Sequence, residues 1–226
     1  MLKPRKRLVK AKLKEDRFVI FTAKAEVWFE QNRRHVIYGA GGIIVVVALA
    51  VAMGWSKSNA TKNAAFQELL ARDAYARTDY DSTLIRANAI LEDFSGTSSA
   101  AVALMLKGRV YEQRGQFEEA EEAFKQVVDD YSEHEYLAFG AYYGLAMIAL
   151  GRSDWNNAGD IYAKAASKYP HHFNAAVALL EAGKAYEKAN RYPQARVAYR
   201  TILTDYPKAR SADAARDNLA KLEFMP

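Results

Sequence analysis

The chain has 226 residues, 32 Lys or Arg against 27 Asp or Glu, a net charge of +5, and no cysteine. The lack of cysteine excludes disulfides, a lipid-modified N-terminal cysteine and thiolate metal sites, and it fits either side of a membrane. The charge is uneven: residues 1–35 hold eleven basic residues against four acids, giving +7, so residues 36–226 carry −2.

Residues 1–35 form a basic arm whose first part, residues 1–14 with Pro4, is expected to be mobile. From Glu15 to Arg34 the pattern changes to Phe18, Phe21, Ala25, Trp28 and Phe29, interrupted by Asp16, Lys24, Glu26 and Glu30. Spacings of three and four place these aromatics on one helical face. Directly before an apolar segment, such a face suits an amphipathic helix at a membrane interface, or one packed on a cytoplasmic partner. The basic residues have an explanation in membrane orientation, so no nucleic-acid partner is expected.

Residues 36–55, VIYGAGGIIVVVALAVAMGW, are 20 consecutive uncharged residues. A helix of that length spans roughly 30 Å, the hydrocarbon thickness of a bilayer. Tyr38 and Trp55 stand near its ends, where aromatic rings favour the headgroup level. With 35 residues before it, the segment reads as an uncleaved signal anchor rather than a signal peptide. The positive-inside rule then places the arm in the cytoplasm and the remainder across the membrane. Gly41, Ala48 and Ala52 share one stripe of the helix, where a partner's membrane helix could pack closely. Residues 56–63 are polar, without proline, and leave open either a joint or a continuous helix.

Residues 64–226 repeat. ILEDFSGT, VVDDYSEH, AASKYPHH and ILTDYPKA recur, and their aromatics Phe94, Tyr131, Tyr169 and Tyr206 are spaced by 37, 38 and 37 residues. Ala120, Ala158 and Ala195 keep that phase, as do Phe124, Tyr162 and Tyr199. A period of this length with helical spacing predicts stacked helix-turn-helix units, each burying the next one's apolar face. The expected repeats are 64–97, 101–134, 137–172 and 176–209, with a capping helix at 211–224. In this reading Gly144 is equivalent to Gly108 and Gly183, two extra residues lie near Arg152, and Gly115 and Gly151 cap the first helices.

These marker residues resemble the tetratricopeptide repeat: Gly108, Tyr111, Ala120 and Phe124 in one unit, and Gly183, Tyr186, Ala195, Tyr199 and Pro207 in another. The resemblance implies an all-α solenoid whose first helices line a partner-binding groove. The family's groove positions fall on Val102, Met105, Arg109 and Glu112, then on Ala138, Ala141, Leu145 and Ile148, then on Val177, Leu180, Lys184 and Glu187. The helix LAFGAYYGLAMIAL is apolar nearly all round, so it is either a partner surface or the centre of the core.

No catalytic, cofactor-binding or metal-binding pattern stands out. His171 and His172 follow Pro170 in a turn and are expected to face solvent, and the acidic pairs lie on solvated helix faces. The chain therefore reads as a binding protein and not an enzyme.

The whole layout, with the Trp28-Phe29-Glu30-Gln31-Asn32 join and the span closing at Gly54-Trp55, resembles the bacterial YfgM proteins. That resemblance implies a single-pass inner-membrane protein with a periplasmic repeat domain, an ancillary partner of the SecYEG translocon and of a PpiD-like chaperone in protein export. The long basic arm and the better-kept repeats depart from that family. A structural or assembly subunit of another membrane complex, for example an energy-transducing one, is the competing expectation.

Overall fold

A left-handed residue followed by a helix start recurs four times along the chain and sets its architecture. Thr78, Ser153 and Asn190 each have φ of 58°, and Gly115 has φ of 71°. They are spaced by 37, 38 and 37 residues, the same steps as the closing aromatics. Each ends a first helix and reverses the chain into a second one, a conformation that costs an L-residue about 1–2 kcal/mol and glycine almost nothing. After two of them an aspartate caps the new helix: Asp79 accepts from the Ser82 N–H at 3.1 Å and Asp154 from the Asn157 N–H at 3.2 Å.

The computed structural model describes residues 8–222, with side chains from residue 18 onward. Of the expected mobile start of the arm, residues 1–14, the stretch 8–14 is helical as the beginning of α1, whereas residues 1–7 and the last two residues of the expected cap, 223 and 224, lie outside the described residues. All described elements are helices: α1 (Leu8–Ala76), α2 (Tyr80–Asp93), α3 (Ser98–Gln113), α4 (Phe117–Asp130), α5 (Glu135–Gly151), α6 (Trp155–Lys168), α7 (Ala175–Lys188), α8 (Tyr192–Asp205) and α9 (Ser211–Leu222). Two compact units divide between residues 58 and 59.

The first unit is the N-terminal part of α1. The helix is long and apolar enough to cross a membrane, and its apolar stretch is not covered by the protein itself. Val46 is 66 % exposed and Trp55 75 %. Helical backbone continues through residues 56–63 without interruption.

The second unit is a stack of helix pairs. The end of α1 packs with α2 around Ala71, Ala87 and Ile90, α3 pairs with α4, α5 with α6 and α7 with α8, and α9 closes the far end against α8. Small residues let the pairs approach. A Cβ on Gly108 would lie 2.4 Å from the Phe124 ring, and one on Gly183 would lie 2.3 Å from the Tyr199 ring. Tyr162, Tyr199 and Phe124 are the largest fully buried side chains, set between alanines such as Ala120, Ala158 and Ala195 that have no exposure at all.

The closing aromatics have a second task. Phe94, Tyr131, Tyr169 and Tyr206 are the C-cap residues of α2, α4, α6 and α8, each donating its N–H to the carbonyl four residues back. The tyrosine hydroxyls then reach the preceding loop: Tyr131 donates to the Ser95 carbonyl, Tyr169 to that of Ser132 at 2.8 Å, and Tyr206 to that of Pro170 at 2.8 Å.

Three sequence expectations change. Gly151 is the last residue of α5, not its left-handed cap; Ser153 takes that position. No two-residue insertion exists either. Counting seven residues back from Gly115, Ser153 and Asn190 gives Gly108, Ala146 and Gly183, so Ala146, fully buried, is the true counterpart. Gly144 imitates it because it also meets Phe124, at 2.6 Å from its Cβ position, but from the following repeat. His172 does not face solvent. It is 7 % exposed and stacks on Phe139 with ring centroids 3.8 Å apart.

Candidate interaction surface

First helices of neighbouring pairs touch, α3 on α5 and α7 on α9. The face they share is the one that the repeat pattern assigns to partners. On α3, Val102 and Met105 are buried at 7 % and 6 % exposure, Arg109 is exposed and Glu112 half-buried. On α7, Val177 is 38 % exposed, Leu180 is buried, Lys184 is exposed and Glu187 half-buried.

The central repeat differs from expectation. Ala138, Ala141, Leu145 and Ile148 are all buried. Leu145 and Ile148 line a different cleft, of about 370 Å³, between the second helices α4 and α6. The reason is the register correction: the repeat begins two residues later than the spacing of Gly144 suggests. Gly140, Tyr143, Met147 and Leu150 then occupy the groove positions, with Met147 45 % exposed. Gly140 stands against Met105, whose methyl group lies 3.2 Å from its Cβ position, as neighbours on one shared face should. The steps of 37 and 38 between closing aromatics, carried onto the first helices, would have found Met147.

Charge on this face is mostly satisfied locally. Lys184 pairs with Glu181 at 2.9 Å, and the Glu187 carboxylate accepts the Tyr199 hydroxyl. Burial first, and then that bond, hold the Tyr199 phenol well above its ordinary pKa. Arg109 makes no ion pair among the described residues, so it is a cation available to a partner. At the α9 end, Leu150, Trp155, Lys184, Lys188 and Asn218 surround a depression of about 350 Å³.

The cleft between the second helices is of another kind. Arg152 bridges Glu118 at 2.9 Å and Glu121 at 2.6 Å, and Lys125 also holds Glu121. Those bonds, that of Lys125 first, keep the Glu121 carboxyl below the usual carboxylate range. These groups serve one another across the helix pairs, and the rest of the lining mixes apolar side chains such as Leu145 and Ile148 with Asp129, Asn157 and Lys164.

On α1, Gly41, Ala48 and Ala52 are exposed, and apart from the local backbone of α1 itself and the two neighbouring residues nothing lies within 4 Å of a Cβ placed on Gly41. Among the described residues no three His, Asp or Glu side chains gather as a metal site would require.

Compared with known families, residues 26–222 match the model described as a tetratricopeptide repeat-like domain. No curated protein matches the chain.

Proposed function

Because this chain belongs to the tetratricopeptide repeat-like domain family, we propose that it is a membrane-anchored adaptor that docks beside a translocon of the SecYEG type and passes emerging segments to a PpiD-like periplasmic chaperone. Domains of this family are in general protein-interaction modules without catalysis. The observation that carries the reading is the pairing of that module with one N-terminal helix long and apolar enough to span a bilayer. The likeness of the layout to YfgM proteins supports the translocon. The +7 arm against the −2 remainder supports a cytoplasmic N-terminus, an inner-membrane span and a periplasmic repeat domain.

Contact with clients centres on Arg109, Met147, Val177 and Lys184, with Met105 and Leu180 as the floor and Glu112 and Glu187 at the margin. Tethering raises the local concentration to about the millimolar range, so weak groove contacts suffice. The stripe of Gly41, Ala48 and Ala52 is where a neighbouring membrane helix would pack.

A second reading, a fixed structural subunit of one membrane complex, gains from the burial of Met105, Leu145, Ile148 and Leu180, which leaves little apolar surface for varied unfolded clients. Photo-crosslinking from Arg109 and Met147 during export of a secreted protein separates the two. Crosslinks to several nascent chains or to a chaperone are expected. Crosslinks to a single integral complex, unchanged by export, would replace the adaptor with the subunit.

A further inference from the structure

The two ends of the helix stack are finished differently. Each later first helix places an alanine against the second helix of the repeat before it: Ala103, Ala141 and Ala178, followed by Ala215 on α9, all with no exposure. Counting back by the same step, the position in the first repeat holds Phe66, 58 % exposed. Three residues on, Leu106 is buried in the cluster that contains Ala87 of α2, while its counterpart Leu69 is 62 % exposed. Two large apolar side chains therefore stand at register positions of which the first is fully buried on every later first helix and the second is buried or half-buried. α9 closes the opposite end; on the described residues from 59 onward nothing closes this one.

From this we infer that the outer face of α1 around Phe66 and Leu69 is the seat for an amphipathic helix of a different protein, docked as a preceding second helix would be. The chemistry of the occupant follows from the internal precedents. Where the residue three after the buried alanine is leucine, as in Leu106, the preceding second helix carries a small residue, Ala87, in the same cluster; where it is glycine, as in Gly144, that helix carries Phe124. Leu69 thus calls for a small residue opposite. A second helix ends beside the start of the first helix it covers, because a short loop joins α2 to α3. The α1 residue equivalent to buried Ser99 in that first turn is Lys62. The second helices α2 and α4 end in Glu92-Asp93 and Asp129-Asp130. A partner helix with an acidic last turn then meets Lys62. A second copy of this chain fits less well, since two copies held parallel by one membrane would set Lys62 against Lys62.

The probe is a labelled peptide of residues 80–94, the chain's own α2, which has the small residue and the acidic end. It is titrated into the full-length protein in lipid nanodiscs, with empty nanodiscs as the blank. Saturable binding is expected. F66E/L69E should weaken it at least tenfold and the milder L69A severalfold, both with unchanged circular dichroism because the two side chains are exposed. K62E should weaken it as well, a peptide with A87F should not bind, and R109E in the groove should leave binding intact. Absence of saturable binding, or equal binding by F66E/L69E, would overturn the inference. So would a full-length dimer, seen by mass photometry, that F66E/L69E converts to monomers, because the seat would then belong to a second copy.

Discussion

Single small residues fix the distance between helices in this protein. The ring of Tyr199 lies 2.3 Å from the place a Cβ on Gly183 would take, and Tyr199 has no room to retreat because it is fully buried. Gly183→Ala should therefore destabilise the domain by about 1–3 kcal/mol, outweighing the roughly 1 kcal/mol by which alanine is the better helix former. Urea unfolding followed by circular dichroism measures the difference. His172 is a second case. Its Nδ1 accepts the Asn174 N–H at 3.2 Å, and Phe139, Tyr136 and Phe173 surround the ring. Burial lowers its pKa from 6.5, with Glu135 opposing weakly. The unfolded chain then takes up a proton that the folded one refuses. Stability should be constant above about pH 7 and fall as pH drops through 6.5, levelling off below the depressed folded value. His172→Phe should flatten that slope in unfolding curves recorded from about pH 5 to 8. An unchanged slope would assign the pH dependence elsewhere.

At the scale of helices and turns, the left-handed positions are the points of leverage. Gly115→Ala places a Cβ at φ of 71° and should cost about 1–2 kcal/mol in the same unfolding experiment. Gly151→Ala, inside α5 with nothing within 4 Å, should be neutral or slightly stabilising. The pair separates the true cap from the one that the sequence suggests. Second helices were legible because they end on aromatics that do two jobs at once, capping the helix and filling the gap to the preceding loop. The register of α5 was not, because two small residues two positions apart, Gly144 and Ala146, both serve close packing. Only one of them keeps the phase of its own repeat. The partner face inherited that error: the sequence pointed to Leu145 and Ile148, whereas Met147 is the exposed side chain. His172 was misread for a related reason. A histidine after proline looks like a solvated turn residue, and the Phe139 ring that covers it comes from α5, far back along the chain.

For the whole molecule, the sequence conveyed the long apolar helix and the solenoid together because each depends on long patterns rather than on single residues. An uninterrupted apolar run needs no tertiary context, and a repeat advertises itself by recurring. The charge asymmetry gives the matching prediction: protease added to spheroplasts should degrade residues beyond the span and spare the arm, detected with antibodies to each end. Protection of the repeat domain would reverse the proposed topology and with it the chaperone partner.

The stack is also sewn along two margins with different thread. On the margin of the longer loops, Tyr131, Tyr169 and Tyr206 tie each loop to the one before by uncharged hydrogen bonds. On the margin of the tight turns the ties are ionic: Arg114 to Asp81 at 2.6 Å, Arg152 to Glu118 and Glu121, and Arg191 to Asp160 at 2.9 Å. Dissolved salt screens the second kind and leaves the first almost untouched. The two margins of the domain should therefore answer ionic strength differently, the tight-turn side loosening in salt while the long-loop side holds.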